Sequence, residues 1–186
     1  EIIGILLFFI FILILISLLS YNPADPSIHN AKPAGQIHNL FGLFGAHLSG
    51  ILVGLFGLGS FWIPVILLFT SIHVFGDRPG KAIILTIGGG ILLIIATGSL
   101  LAFKQNHYIL FGSKFSSGGI IGIPLKSFLV KYSNVTGSAI ILVIVWVIGF
   151  IMSTGFSLIK FGKRCWKGIL LSADRLHTLI VKWKEQ

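Results

Sequence analysis

Apolar residues in this chain are gathered into four long blocks, at residues 2–20, 40–75, 82–103 and 137–158. None of these blocks contains an Asp, Glu, Lys or Arg residue. A helix needs about 20 apolar residues to cross a bilayer, and only helices or closed barrels satisfy their backbone polar groups inside it. Because the runs are continuous rather than alternating, the pattern predicts an all-α membrane protein with four transmembrane helices.

The second block is longer than one crossing requires. As one helix it would extend about 54 Å at about 1.5 Å per residue, too much for a simple span and too little for two spans with a turn. We therefore predict a crossing at about 44–75, with an interfacial segment before it and a kink near Pro64. The other spans are predicted at about 2–20, 82–103 and 137–158, within a four-helix membrane domain at 1–159.

Two further segments carry apolar residues at helical spacing, with basic residues on the opposite face. One follows Pro124 in the loop at 104–136, and we expect it to form a short amphipathic helix on the outer membrane face. A re-entrant segment packed among the helices is the alternative. The other segment, at 160–186, predicts a basic amphipathic juxtamembrane helix on the inner face.

The net charge of +9 is unevenly divided between the two sides that four crossings define. Nine of the 14 Lys and Arg residues fall on the side of both termini. Since loops rich in Lys and Arg tend to stay in the cytoplasm, both termini are predicted to be cytoplasmic. Basic residues beside a membrane exit bind anionic lipid more often than nucleic acid. The residues expected to contact lipid on the inner face are Lys160, Lys163, Arg164, Lys167 and Arg175.

Small residues recur four apart at the start of the second block, at Gly42, Ala46, Gly50 and Gly54. Such stripes let transmembrane backbones approach each other closely. We predict that this stripe packs against another helix, in the same chain or in a neighbouring one. The glycines at 88–90 are a candidate flat surface for that contact.

Candidate chemistry is sparse. Within the predicted spans, His47 and His73 are the side chains that could serve an ion or proton pathway. None of the six histidines has the spacing of a zinc site, and the turn at 76–81 lacks the spacing of a phosphate loop. We therefore expect no catalytic residue, no metal ligand and no cofactor in this chain.

The segment from Ser20 to Ser27 reads SYNPADPS and follows the first predicted helix directly. Together with the glycine-rich run after Asn39 and the run GGIIG from Gly118, it resembles the N-terminal four-helix membrane domain of the FtsK/SpoIIIE DNA translocases. The resemblance extends over nearly the whole chain. The residues that carry it as motif or structural positions are Asn22, Pro23, Asp25, Pro26, Ser27, Gly45, Pro64, Gly118, Gly119 and Gly122.

This resemblance implies a bacterial inner-membrane protein of the division septum, acting in cell division and chromosome segregation. The tail would lead into a cytoplasmic linker and an ATP-driven hexameric motor, and DNA would be bound through that motor alone. The chain itself would anchor the pump, help it to assemble, and contact lipids and other septal proteins. Two alternatives stay open: a hexameric DNA-conducting pore and, less favoured, a small transporter or channel.

Overall fold

The computed structural model describes residues 2–28, 30, 36–76 and 80–155. Four helical stretches among them are long and apolar enough to cross a membrane, so the predicted fold class is confirmed. The predicted inner-face helix at 160–186 lies outside the described residues. In chain order the elements are α1 (Ile2–Leu19), α2 (Gly42–Phe56), α3 (Trp62–Phe75), α4 (Gly80–Leu101), β1 (His107–Leu110), β2 (Ser113–Ser116) and α5 (Gly119–Thr154).

The second apolar block is divided at Gly57, and the prediction of a kink near Pro64 is wrong in position. Gly57 has φ +58° and ψ −138°, a conformation that favours glycine. A short 3-10 turn, Gly57–Phe61, then leads into α3. Pro64 lies in the first turn of α3, where the missing N–H of a proline is tolerated.

Helix α5 contains a break at Asn134, which has φ 51° and ψ −178°. The side-chain Oδ1 of Asn134 accepts a hydrogen bond from the N–H of Gly137 at 3.2 Å, as an N-cap residue does. The break falls between the short helix and the final span that the sequence predicts. The start of the short helix is buried at Gly119 and Gly122, whereas Phe128 is exposed further along.

The helices give the molecule two distinct ends. At one end the hydroxyl of Ser71, in α3, donates to the carbonyl of Gly4, in α1, at 2.8 Å. At the other end the ring of Tyr21, just after α1, lies 4.9 Å from the ring of Phe115 in β2. We call the end that carries Tyr21 and the two strands the hairpin end, and the other the opposite end.

Strands β1 and β2 form an antiparallel hairpin that the sequence analysis did not predict. Its buried residue, Phe115, joins the main hydrophobic cluster together with Leu18, Val53 and Leu58. Helix α2 therefore packs at the hairpin end. The 3-10 turn and α3 extend about 31 Å together, a length that suffices to cross a bilayer.

Candidate functional site at the hairpin end

The carboxylate of Asp25 is the centre of the loop between α1 and α2, and this residue is only 2% exposed. Its two oxygens accept the backbone N–H groups of His38 and Asn39, each at 2.9 Å. The ring Nδ1 of His38 also lies 3.0 Å from Oδ1 of Asp25. Buried carboxylates need such donors, because unpaired burial of a charge is strongly unfavourable. Asp25 thereby joins the start of the loop to its end.

Asn39 continues this network into the helices. Its side-chain amide donates to the carbonyl of Ser17 in α1 at 2.8 Å and to the hydroxyl of Ser49 in α2 at 3.3 Å. Its Oδ1 accepts the N–H of Phe41 at 3.1 Å. A Cβ at Gly45 would collide with this amide, so glycine leaves the room that Asn39 needs. We refer to Asp25, His38 and Asn39 as the first-loop network.

Asn39 is not among the site residues that the sequence predicts. The signal for it was weak: one amide side chain at the edge of a long apolar block. An isolated asparagine in that place is equally compatible with a simple helix boundary, because asparagine commonly precedes a helix. Its buried partners come from α1 and α2, which only the folded chain brings together.

The remaining polar residues of the motif shape the first half of the loop. The Oδ1 atom of Asn22 accepts the N–H of Ala24 at 2.9 Å, the side-chain turn expected before such a bend. The amide of Asn30 donates to the carbonyl of Pro23 at 3.2 Å. Directly after Pro26, Ser27 and Asn30 exchange two backbone hydrogen bonds, both at 3.0 Å.

The small-residue stripe of α2 meets the loop and α5 in this structure. A Cβ at Gly50 would lie 2.5 Å from the Cβ of Ser27, and a Cβ at Gly119 would lie 2.5 Å from the carbonyl oxygen of Gly54. Ala46 is buried, whereas Gly42, with φ +58°, has open space around its missing Cβ. Packing of the small-residue stripe against a helix of a neighbouring chain stays a prediction.

Backbones approach each other closely where α4, the start of α5 and the 3-10 turn meet. A Cβ at Gly57 would lie 2.5 Å from the carbonyl oxygen of Ser116, and one at Gly118 would lie 2.7 Å from that of Gly98. The N–H of Leu58 donates to the carbonyl of Ser117 at 3.1 Å. A Cβ at Gly122 would lie 3.0 Å from the carbonyl carbon of Gly98. We define the glycine junction as the glycines at these close contacts: Gly57, Gly98, Gly118, Gly119 and Gly122.

Two predicted intramembrane histidines have local partners. Nδ1 of His47 lies 2.9 Å from the carbonyl oxygen of Leu43, and Nδ1 of His73 lies 3.2 Å from the hydroxyl of Thr86. Across the described ranges, no group of three His, Cys, Asp or Glu residues could hold a metal ion. The lipid-contact residues predicted in the tail (Lys160, Lys163, Arg164, Lys167 and Arg175) lie outside the described residues. The expectation that the chain has no cofactor stays a prediction.

Comparison with known proteins gives a consistent answer. Residues 1–166 match the family model described as the 4TM region of DNA translocase FtsK/SpoIIIE. The chain is 34% identical over 147 residues to the DNA translocase FtsK of Vibrio vulnificus, covering 76% of this chain and 15% of that protein. It is 30% identical over 150 residues to that of Shewanella oneidensis, covering 77% of this chain and 16% of that protein.

The chain thus spans about 15% of the length of these relatives. No solved structure matches it. The match covers the first-loop network and the glycine junction, which together organise the hairpin end. With four membrane-length helices and a family match over residues 1–166, the chain belongs to the four-transmembrane region of the FtsK/SpoIIIE DNA translocase family.

Proposed function

We propose that this chain anchors a DNA translocase in the bacterial inner membrane and places it at the division septum. The observation that carries the proposal is the family match over residues 1–166, in a chain whose four apolar blocks contain no charged residue. An anchor requires close packing and a fixed orientation, and it requires no ionisable group inside the membrane.

The contacts between helices support a position of the start of α1 and the end of α5 on the same side of the membrane. Helix α1 begins beside Ser71, near the end of α3. The second half of α5 runs antiparallel to α4, because Trp146 bonds to Thr97 whereas a Cβ at Gly149 would meet Gly89. The first helix therefore begins, and the last one ends, at the opposite end. Nine of the 14 basic residues belong to this side of the sequence, which favours the cytoplasm.

The activity of the whole protein follows from its relatives as a further part of the proposal. ATP hydrolysis, DNA binding and hexamer formation would belong to a motor outside this chain, which would couple chromosome segregation to cell division. The membrane region would contribute lipid contacts, weak self-association and contacts with other septal proteins. Those partners would meet the hairpin end, which lies away from the start of α1 and the end of α5.

Orientation can be tested with two cysteines placed at the two ends of α4. In a Cys165→Ser background, Lys104→Cys lies just after α4 and Lys81→Cys lies in its first turn, and both positions are exposed. A membrane-impermeant maleimide should label Lys104→Cys in intact spheroplasts and should label Lys81→Cys only after lysis. The reverse pattern would contradict cytoplasmic termini, and labelling of both in intact spheroplasts would contradict four crossings.

Septal placement and assembly need separate measurements. A fluorescent fusion of residues 1–186 should collect at the septum of dividing cells, whereas uniform membrane fluorescence would contradict septal targeting by this chain. Native mass spectrometry of the purified chain should give monomers or small oligomers. A stable hexamer of the isolated chain would instead favour the DNA-conducting pore.

A further inference from the structure

A cleft of about 240 Å³ opens at the hairpin end, between the first loop, α2 and the hairpin. It differs from the first-loop network, since none of Asp25, His38 and Asn39 lines it. One wall is apolar. The polar side chains that line the cleft are those of Tyr21, His107, Lys114 and Ser116, and the apolar ones include Pro23 and Val53.

The register of the hairpin explains why three of these polar side chains converge. His107 pairs with Ser116 across the strands, and Lys114 is two residues from Ser116 along β2. Directly paired residues and residues two apart project on the same face of a sheet. Phe115, between Lys114 and Ser116, is fully buried on the other face and fixes the hairpin against the helices.

The cleft is cationic. Residues 104–136 contain four lysines and neither Asp nor Glu. The carboxylate of Asp25, the one acidic group among the described residues of the hairpin end, is already engaged by the N–H groups of His38 and Asn39. Lys114 is exposed and forms no ion pair within the described ranges. An anionic group in the cleft would therefore meet an uncompensated positive charge.

Tyr21 adds a neutral donor to this site. A phenol is protonated at physiological pH, and burial raises the pKa of the Tyr21 hydroxyl further. The hydroxyl has no hydrogen-bond partner within the described part of the chain. Lysine, histidine and tyrosine donors around one small cleft suit a compact anion with several acceptor oxygens, as a phosphate is.

We propose that this cleft binds the phosphate of an anionic phospholipid, with Lys114, His107 and Tyr21 as its direct contacts. The apolar residues around the cleft favour a lipid over an acidic peptide. Ile109, paired with Lys114, is 79% exposed, and Phe111 at the hairpin tip is 66% exposed. Acyl chains would cover these side chains, whereas an acidic peptide bound by charge would leave them in water.

The hairpin tip gives a second reason for a lipid. Phe111 and Gly112, with φ +52° and +75°, form the two-residue loop of the hairpin, in which both residues take positive φ. The ring of Phe111 lies 6.4 Å from that of Phe61, and the residue remains 66% exposed at the tip of the hairpin. Tyr21 lies two residues beyond the end of α1, where amphipathic aromatic residues usually mark the edge of the membrane.

The test compares lipid retention by purified variants of the chain in native mass spectrometry, with phosphatidylglycerol titrated into the detergent. The wild-type chain should retain phosphatidylglycerol, and Lys114→Gln should weaken that retention about tenfold, as loss of one charge-assisted hydrogen bond predicts. Tyr21→Phe should weaken it about threefold, because one neutral hydrogen bond is lost. Thermal unfolding of each variant checks that the fold is kept.

Lys131→Gln is the matched control. It removes the same charge from the first part of α5, where Lys131 is exposed but does not line the cleft. Retention by this variant should equal that of the wild type. Equal losses in Lys114→Gln and Lys131→Gln would overturn the proposal, since bulk charge would then explain the binding.

Two further probes separate the sources of the anion. Inorganic phosphate at the same concentration should be retained far less than phosphatidylglycerol. Equal retention of the two would overturn the assignment to a lipid. A glutamate-rich peptide should bind independently of Lys114, and a peptide that binds through Lys114 while phosphatidylglycerol does not would also overturn it.

Discussion

In the first-loop network a buried carboxylate accepts two backbone N–H groups, whereas in the glycine junction backbones meet with no side chain between them. Both regions join segments that are distant in sequence, and both lie towards the hairpin end. The first-loop network is stabilised by directional hydrogen bonds. The glycine junction is possible because its glycines have no side chain.

The difference follows from the surroundings of each region. A loop outside the helices exposes many backbone groups that must find partners, and Asp25 and Asn39 supply them. Helices inside a membrane have satisfied backbones and gain no hydrophobic energy by associating, because lipid tails are equally apolar. They are stabilised instead by interhelical hydrogen bonds and by close contact, which glycine permits at Gly98 and Gly118.

The largest expected effect comes from breaking the glycine junction. Gly57→Ala would place a Cβ 2.5 Å from a carbonyl oxygen and would force alanine to φ +58°. We expect a loss of about 3 kcal/mol of stability from overpacking and backbone strain together. Thermal unfolding in detergent measures it, with Gly88→Ala as control because no atom lies within 4 Å of a Cβ at that position. Equal stability of the two variants would contradict the close approach.

Breaking the first-loop network should have the next largest effect. Asp25→Asn replaces one acceptor oxygen with an N–H group that faces backbone donors, and we expect a loss of about 2 kcal/mol. His38→Gln should lose less than about 1 kcal/mol, because its backbone N–H remains and its ring is largely exposed. The same unfolding assay compares them. A His38→Gln loss as large as that of Asp25→Asn would show that the contact between the His38 ring and Asp25, rather than the backbone donors, stabilises the loop.

A polar contact within the helices sharpens the comparison. The hydroxyl of Thr97 accepts the indole N–H groups of Trp62 and Trp146, at 2.9 and 3.0 Å. Thr97→Val keeps the shape and removes both bonds, and we expect a loss of about 1 kcal/mol. Tryptophan fluorescence should change as well. In a Trp62→Phe background the loss should be about half as large, and an unchanged loss would contradict the shared acceptor.

The smallest effect is expected at Ser99. Its hydroxyl is buried and has no hydrogen-bond partner among the described residues. Ser99→Ala should therefore leave stability within about 0.5 kcal/mol of the wild type or raise it slightly. Ser49→Ala is the matched variant, since the hydroxyl of Ser49 bonds to Gly45 and Asn39. It should lose about 1 kcal/mol, and a larger loss at Ser99 than at Ser49 would contradict the hydrogen-bond assignment.

The helices were accessible to sequence reasoning because a charge-free run of membrane length has few alternatives in a bilayer. The position of the kink could not be predicted in this way. A proline in a helix is a recognisable kink signal, whereas Gly57 is one of 23 glycines. Its positive φ depends on tertiary contacts that the sequence does not reveal. The hairpin could not be predicted, because each strand has only four residues and neither shows a clear alternation of apolar and polar residues.

The site was predictable in part. The motif around Asp25 was identified through its family resemblance, but its role in accepting hydrogen bonds from residues 13 and 14 positions later depends on the closed loop. Asn39 and the cleft at Tyr21 and Lys114 involve residues from separate elements. Such juxtapositions are tertiary, and no local pattern encodes them.

The glycine junction also determines which positions of this protein would tolerate substitution in a mutagenesis experiment. Saturation mutagenesis of the chain would reveal a compact patch of intolerant positions, at Gly57, Gly98 and Gly118, in which even alanine is rejected. Such a patch is the usual signature of a catalytic centre. In this protein the intolerant patch would instead reflect the close approach of three stretches of main chain.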